Sequence, residues 1–118
     1  MHPKAKYLFI ASMDVDPDKE ALFNEVYDTE HIPFLLKVPG VLAAYRATAA
    51  PLAVVIGGKK QLVPAEGEPK YSAFFELEHA DVLVSDAWAK AVEQGRWPSE
   101  VRAYTRNRKH VLKKIWGQ

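Results

Sequence analysis

The chain has 118 residues, of which 48% are hydrophobic and 26% are charged, and its formal net charge is +1. This length fits one domain with a real core, so we predict a single domain over residues 1–118. The near-neutral charge excludes a global field that would attract nucleic acid or an acidic membrane. The sequence contains no cysteine, which excludes disulfides and zinc–thiolate sites. No apolar run approaches membrane-spanning length, and we expect a cytoplasmic protein.

The first half of the chain contains two predicted strands with a helix between them. Aromatic and aliphatic residues over 6–13 predict the first strand. Pro17 suits a first helical turn, and apolar residues at helical spacing then continue to about His31. Because Pro33 disfavours helical geometry at the residue before it, we expect the helix to stop or bend around His31. The apolar residues 41–49 predict the second strand.

The second half repeats this alternation after an insert. Residues 50–69 are interpreted as an inserted hairpin or loop, with the two glycines at 57 and 58 as its turn. Residues 70–78 predict a core strand. Ser85 is a predicted cap for a second amphipathic helix, which Gly95 ends. Trp97 and Pro98 then form a connection, and the last strand is predicted within 108–116.

The order of these elements predicts an α+β fold: a ferredoxin-like βαββαβ antiparallel sheet with two helices on one face. The first strand is apolar on both sides, with Phe9 on one face and Leu8 and Ile10 on the other. Leaving four such side chains in water would forgo roughly 6–12 kcal/mol. We therefore expect a homodimer in which two sheets meet face to face. In the alternative, the insert at 50–69 folds over the second face.

Two segments resemble a known family. The segment EVYDTEHIPFLLKVPGVLAAYR, residues 25–46, resembles the signature of the dimeric α/β-barrel superfamily in its EthD-like branch, and GRWPSEVRAYTRNRKHVLKKI, residues 95–115, is similar to the end of uncharacterised members. The resemblance implies two sheets paired face to face and ligands held between sheet and helices. Members include cofactor-free monooxygenases, polyketide cyclases, lactone isomerases and haem-degrading enzymes, and a shared fold does not transfer an activity.

His31 is the candidate catalytic residue. It lies where the first helix is predicted to end, and an imidazole there can act as a general base or acid near neutral pH. The resemblance matches it to the TEHIP-type motif of EthD-like proteins. In the alternative, its ring stabilises the chain reversal by a backbone hydrogen bond. Asp28 and Glu30 are possible partners of His31, but the three residues are poorly spaced for a metal, and we predict no metal site.

The candidate substrate-binding residues are Tyr27, Arg46 and Trp88. The guanidinium of Arg46 can hold an anionic oxygen, or it can form a salt bridge at the end of the sheet. Tyr27 and Trp88 can form aromatic walls of a pocket, or they can belong to the core. His79, after the third core strand, occupies a position that is catalytic in some cyclases of the superfamily, and it reads equally well as an exposed turn.

Three functional hypotheses follow. The first is an enzyme without metal or organic cofactor, of the monooxygenase, cyclase or isomerase type, in which His31 moves a proton of an apolar aromatic or polyketide-like compound. The second is a binding or accessory module that uses the same pocket without turnover. The third is a structural dimer with a filled interior. The C-terminal basic residues are interpreted as a solvated strand edge, although Arg106 or His110 can reach a partner's pocket.

Overall fold

The computed structural model describes residues 1–117 and contains six strands and three α-helices. The strands are β1 (Tyr7–Val15), β2 (Val41–Thr48), β3 (Leu52–Ile56), β4 (Lys59–Val63), β5 (Tyr71–Leu77) and β6 (Thr105–Lys114). The helices are α1 (Glu20–Val26), α2 (Ile32–Leu36) and α3 (Asp86–Ala91). Four strands form an antiparallel sheet in the order β2-β5-β1-β6. The predicted ferredoxin-like architecture is confirmed.

Helices α1 and α2 are joined by a π-helical turn over Tyr27–His31, in which the Ile32 N–H donates to the Tyr27 carbonyl. The expected stop or bend near His31 is therefore a change in hydrogen-bond pattern, and helical turns continue past Pro33 to Leu36. Pro33 has no N–H to donate. It is tolerated in the first turn of α2 because backbone bonding is already interrupted at this junction.

The insert forms the predicted hairpin, with β3 paired to β4 and the two glycines at its turn. The segment after α3 differs from the expected connection: short helical turns cover Trp97–Val101 and Arg102–Tyr104. Strand β6 begins at Thr105, earlier than predicted, because Thr105 pairs with Val15 at the end of β1. Ser85 caps α3 as predicted, since its Oγ accepts a hydrogen bond from the Trp88 N–H at 3.2 Å.

One face of the sheet, here called the inner face, carries the helices and the core. The buried side chains on this face come from alternate positions of β1 and β5, as the sequence pattern predicts. They are Ala11, Met13, Val15, Tyr71, Ala73, Phe75 and Leu77. Phe23 and Val26 of α1 and Leu35 of α2 pack against them and are almost completely buried. The cavity described below lies within this layer.

The opposite, outer face is crossed by a row of four apolar residues, one from each strand. The pairing register places Tyr45, Phe74, Ile10 and Val111 side by side, and this set is called the outer row. Tyr45 is 44% exposed. The hairpin does not cover the row, because its side chains remain exposed, Val55 to 69% and Leu62 to 73%.

Candidate functional site

A cavity of about 180 Å³ lies between the inner face and the helices. Its walls are mainly aromatic and come from β1, β5, α3 and the helical turns on either side. The aromatic residues are Phe9, Tyr27, Phe75, Trp88 and Trp97. The basic groups that line it are His31, Arg102, Arg108 and His110. Arg108 and His110 are exposed, so they mark the opening of the cavity.

His31 lies at the end of the π-helical turn and lines this cavity. The residue is only 6% exposed. Its ring stacks on Trp97, with centroids 4.3 Å apart and planes at 19°, and meets the edge of Tyr27 at 5.0 Å. Its Nδ1 atom is enclosed and has no hydrogen-bond partner among the described residues. A buried polar atom without a partner costs about 1–3 kcal/mol.

The environment of His31 keeps its imidazole neutral. Burial lowers the pKa of His31 from 6.5 to about 4, the positive charge of Arg102 adds to this effect, and the Glu93 carboxylate opposes it. At neutral pH the ring can therefore accept a proton but has none to give as an imidazolium. The role as a general acid does not fit this state, and the role as a general base stays a prediction.

The two expected partners of His31 are occupied elsewhere. The Glu30 carboxylate accepts hydrogen bonds from the backbone N–H and the Nε of Arg96, at 2.8 and 2.6 Å. These bonds hold the pKa of Glu30 below its ordinary value. Asp28 accepts a hydrogen bond from Arg46 at 2.7 Å. Among residues 1–117, no carboxylate hydrogen-bonds to His31 Nδ1.

Arg46 lies outside the cavity. Its two terminal nitrogens donate to Asp28 Oδ1 and Asn24 Oδ1, both at 2.7 Å, and its guanidinium lies 4.6 Å from the centroid of the Tyr27 ring. This side chain ties β2 to α1 and is the salt bridge that the sequence left open as an alternative. Arg46 thus contacts one face of Tyr27 but does not line the cavity that His31, Tyr27 and Trp88 share.

Tyr27 and Trp88 line the same cavity as His31. Burial raises the pKa of the Tyr27 hydroxyl, which therefore stays protonated. Trp88 meets Phe9 and Phe75 edge-on, with centroids 5.8 and 5.4 Å apart. Three of the four candidate site residues are thus brought together, and His79 is exposed beside Tyr7 and Lys114, lining a separate depression.

Sequence reasoning missed four residues that line the cavity: Trp97, Arg102, Arg108 and His110. The sequence predicts only a connection at Trp97 and a solvated edge at the two arginines. His110 lines the cavity of its own chain and stacks on Phe9, with centroids 5.9 Å apart. The available signal was period-two spacing, which puts 108 and 110 on one face of the last strand.

Solved structures with the same architecture were found, whereas no family model and no curated protein sequence matches the chain. An EthD family protein from Bacillus halodurans is 12% identical, with a TM-score of 0.58, over 93% of this chain and 98% of that one. The monooxygenase ActVA-Orf6 of Streptomyces coelicolor, solved with nanaomycin D, is 14% identical, with a TM-score of 0.62, over 99% and 93%. This chain shares the ferredoxin-like α+β fold of these structures.

A third structure with the same ferredoxin-like fold is the heme-degrader MhuD from Mycobacterium tuberculosis, solved with two hemes in its active site. It is 14% identical, with a TM-score of 0.56, over 95% of this chain and 97% of that one. Within residues 1–117 there is no group of three acidic, histidine or cysteine side chains placed to hold a metal ion. Across the same residues, no helix is both long enough and apolar enough to cross a membrane.

The low pKa of His31 predicts a loss of stability in mild acid. Between pH 6.5 and 4 the unfolded state binds a proton at this residue and the folded state does not. The free energy of unfolding therefore falls as the pH is lowered through this window, by up to about 3 kcal/mol at about 1.4 kcal/mol per pKa unit. Urea unfolding of the wild type and of His31→Gln at several pH values measures this difference.

The matched variant removes the contribution of the surface carboxylates, which titrate in both proteins. We expect the wild-type curve to fall more steeply than that of His31→Gln between pH 6.5 and 4, and the two to run parallel above pH 7. Parallel curves throughout would contradict the assignment of a buried, neutral His31.

Proposed function

We propose that this protein binds an aromatic small molecule in the cavity beside His31. The observation that carries the proposal is an accessible chamber with aromatic walls and one buried, unpartnered imidazole. Its volume of about 180 Å³ is close to the roughly 150 Å³ of an apolar cavity that accepts benzene. It therefore encloses about one ring, with larger parts of a ligand extending through the opening. Structures of this fold solved with nanaomycin D or hemes support a ring compound as ligand.

The proposed chemistry is proton transfer to His31 without a metal or organic cofactor. The neutral imidazole in the aromatic wall of the cavity accepts a proton from a carbon acid beside a carbonyl, or from a phenol, that enters the cavity. Tyr27 and Trp88 form the walls that orient the ring. Such a step is common to cofactor-free monooxygenase, cyclase and isomerase reactions, and it makes the protein an enzyme.

The second candidate is a binding module without turnover. It is favoured by the absence, within the described residues, of a group that accepts a hydrogen bond from His31 Nδ1. Without such a partner the imidazolium formed by proton transfer has no hydrogen bond at Nδ1, and Glu93 stabilises it only through its charge. The third hypothesis, a structural dimer with a filled interior, is disfavoured by the cavity itself.

Ligand binding is tested by filling the cavity. Ala11 is a small residue of the cavity wall, so Ala11→Leu should abolish binding, whereas Ala53→Leu on the exposed hairpin should leave it unchanged. Quenching of tryptophan fluorescence by benzamide and 4-nitroanisole reports binding, because Trp88 and Trp97 both line the cavity. Equal quenching of the wild type and Ala11→Leu would rule out this cavity as the site.

Proton transfer is tested with 1-phenyl-2-propanone, whose acidic C–H bonds exchange with D2O and can be followed by NMR. We expect the wild type to accelerate exchange at pH 7 and His31→Gln to lose about 100-fold of that acceleration, with ligand affinity retained. If both proteins bind the ketone and exchange it at the same rate, the binding module becomes the better description.

We also propose that two copies pair through their outer faces. The outer row leaves aromatic and aliphatic groups in water, and burying each such side chain contributes about 1.5–3 kcal/mol. The hairpin does not cover them, as the exposed Val55 and Leu62 indicate. A second copy of the sheet supplies the missing cover by two-fold symmetry.

The homodimer is tested by light scattering coupled to size-exclusion chromatography at micromolar concentration. The wild type should elute with the mass of two chains. Ile10→Lys places a charge in the centre of the outer row and should give a folded species of one-chain mass, whereas Val55→Lys on the hairpin should remain dimeric. A wild type with one-chain mass would contradict the pairing.

A further inference from the structure

Three arginines lie close together in the sequence, Arg102, Arg106 and Arg108, and the first and last of them line the cavity. Their partners differ. Arg102 donates from Nη1 to Glu93 at 2.9 Å and from Nη2 to the Val92 carbonyl at 3.0 Å. Arg106 donates to Asp16 at 3.0 Å. Arg108 has neither a hydrogen bond nor an ion pair within residues 1–117, although it lines the cavity. Its five donors are thus available to a ligand.

A β-bulge next to Arg108 defines how this side chain meets the cavity. The β1–β6 register shifts between Ser12 and Asp14, so Asn107 and Arg108 together face Met13. Asn107 has a φ of 52°, a left-handed conformation that asparagine tolerates better than most residues. Its side-chain Nδ2 donates to Asp14 Oδ2 at 3.0 Å, which holds the bulge. Bulges of this kind redirect side chains beside functional sites.

The charge inside the cavity is unbalanced. Among the described residues that line it, the ionisable groups are basic or phenolic, and none is a carboxylate. Glu93 neutralises Arg102 from outside the lining, and His31 is neutral. The positive charge of Arg108 therefore has no counterpart, and it lies at the edge of a chamber sized for one aromatic ring.

We propose that the ligand is an aromatic monoanion, a carboxylate or a phenolate, whose ring fills the cavity and whose oxygens bind the Arg108 guanidinium. This inference deepens the proposed function and depends on it. Arg108 is then the residue that selects anions from neutral compounds of equal shape, because a guanidinium binds a planar carboxylate through two parallel hydrogen bonds. Asn107 acts as a positioning residue through the bulge.

The experiment compares matched ligands by isothermal titration calorimetry. Benzoate is paired with neutral benzamide, and 4-nitrophenolate with 4-nitroanisole, so that the two kinds of anion are separated. The wild type should prefer at least one anion over its neutral analogue. Arg108→Gln should weaken the binding of that anion by about 10- to 100-fold, which corresponds to the loss of a charge-assisted hydrogen bond. It should change the affinity for the neutral analogue by less than about twofold. Arg106→Gln, which removes a nearby arginine of the same strand, should change neither.

The positioning role of Asn107 has its own readout. Asn107→Gly keeps access to positive φ and should retain anion preference, whereas Asn107→Val disfavours that conformation and should reduce affinity for the anion without reducing affinity for the neutral analogue. Loss of both affinities in Asn107→Val, with retention in Asn107→Gly, would show a purely structural effect and overturn the positioning role.

Two failures are distinguishable. If the neutral ligands and the anions bind the wild type equally, and Arg108→Gln changes nothing, the anion proposal is overturned while the aromatic cavity stands. If no compound of either pair binds and Ala11→Leu behaves as the wild type, the proposed function itself fails.

Discussion

The structure depends on one constraint: the sheet is apolar on both faces, and the helices cover only one of them. On the inner face, α1, α2 and α3 bury Phe75, Leu77 and their neighbours almost completely. On the outer face, no helix among residues 1–117 covers the row from Tyr45 to Val111. Hydrophobic burial is the dominant favourable term in folding and association, so the same strands that build the core also favour a second copy.

The cavity arises where the inner layer changes from close packing to incomplete filling. The small side chain of Ala11 lies in its wall, and the π-helical turn ends at its side with His31. The wider turn shifts the helix register, and π-helical turns often occur at functional sites for this reason. Trp97 supports the imidazole by stacking, and desolvation then keeps it neutral. The geometry and the electrostatics of His31 thus have one origin, which is its burial against aromatic rings.

Much of the fold was predictable, because period-two and period-3.6 patterns report directly on which faces are buried. The apolar side chains of β1 and β5, the Ser85 cap and the double glycine of the hairpin each carry a local physical signal. The continuation of the helix past Pro33 has no such local signal, because it depends on a change of hydrogen-bond pattern one turn earlier. The site was predictable in part: Tyr27, His31 and Trp88 share the cavity, but Arg46 is taken by Asp28 and Asn24.

The unforeseen basic group of the site, Arg108, reflects a limit of pattern reading. A bulge changes which residues share a face, and its signal was a single asparagine, Asn107, whose partner Asp14 lies 93 residues earlier in the chain. Contacts over such separations have no local signature. A run of basic residues on an edge strand therefore looks solvated, whichever of its members faces the interior.

The two apolar faces of the sheet also affect how strongly the pairing register of its strands is specified. In a sheet with one solvent-exposed face, shifting the pairing register by one residue moves apolar side chains into water, which costs free energy. Here a one-residue shift between β1 and β5 replaces Phe9 and Phe75 on the inner face with Ile10 and Phe74. Hydrophobicity therefore distinguishes the observed register from the shifted one only weakly. Polar pairs on the outer face supply the discrimination: Ser12 and Ser72 share a hydrogen bond of 2.7 Å, and Tyr45 donates to the nearly buried Glu76 at 2.8 Å. These hydrogen bonds favour the observed pairing register over one shifted by a residue.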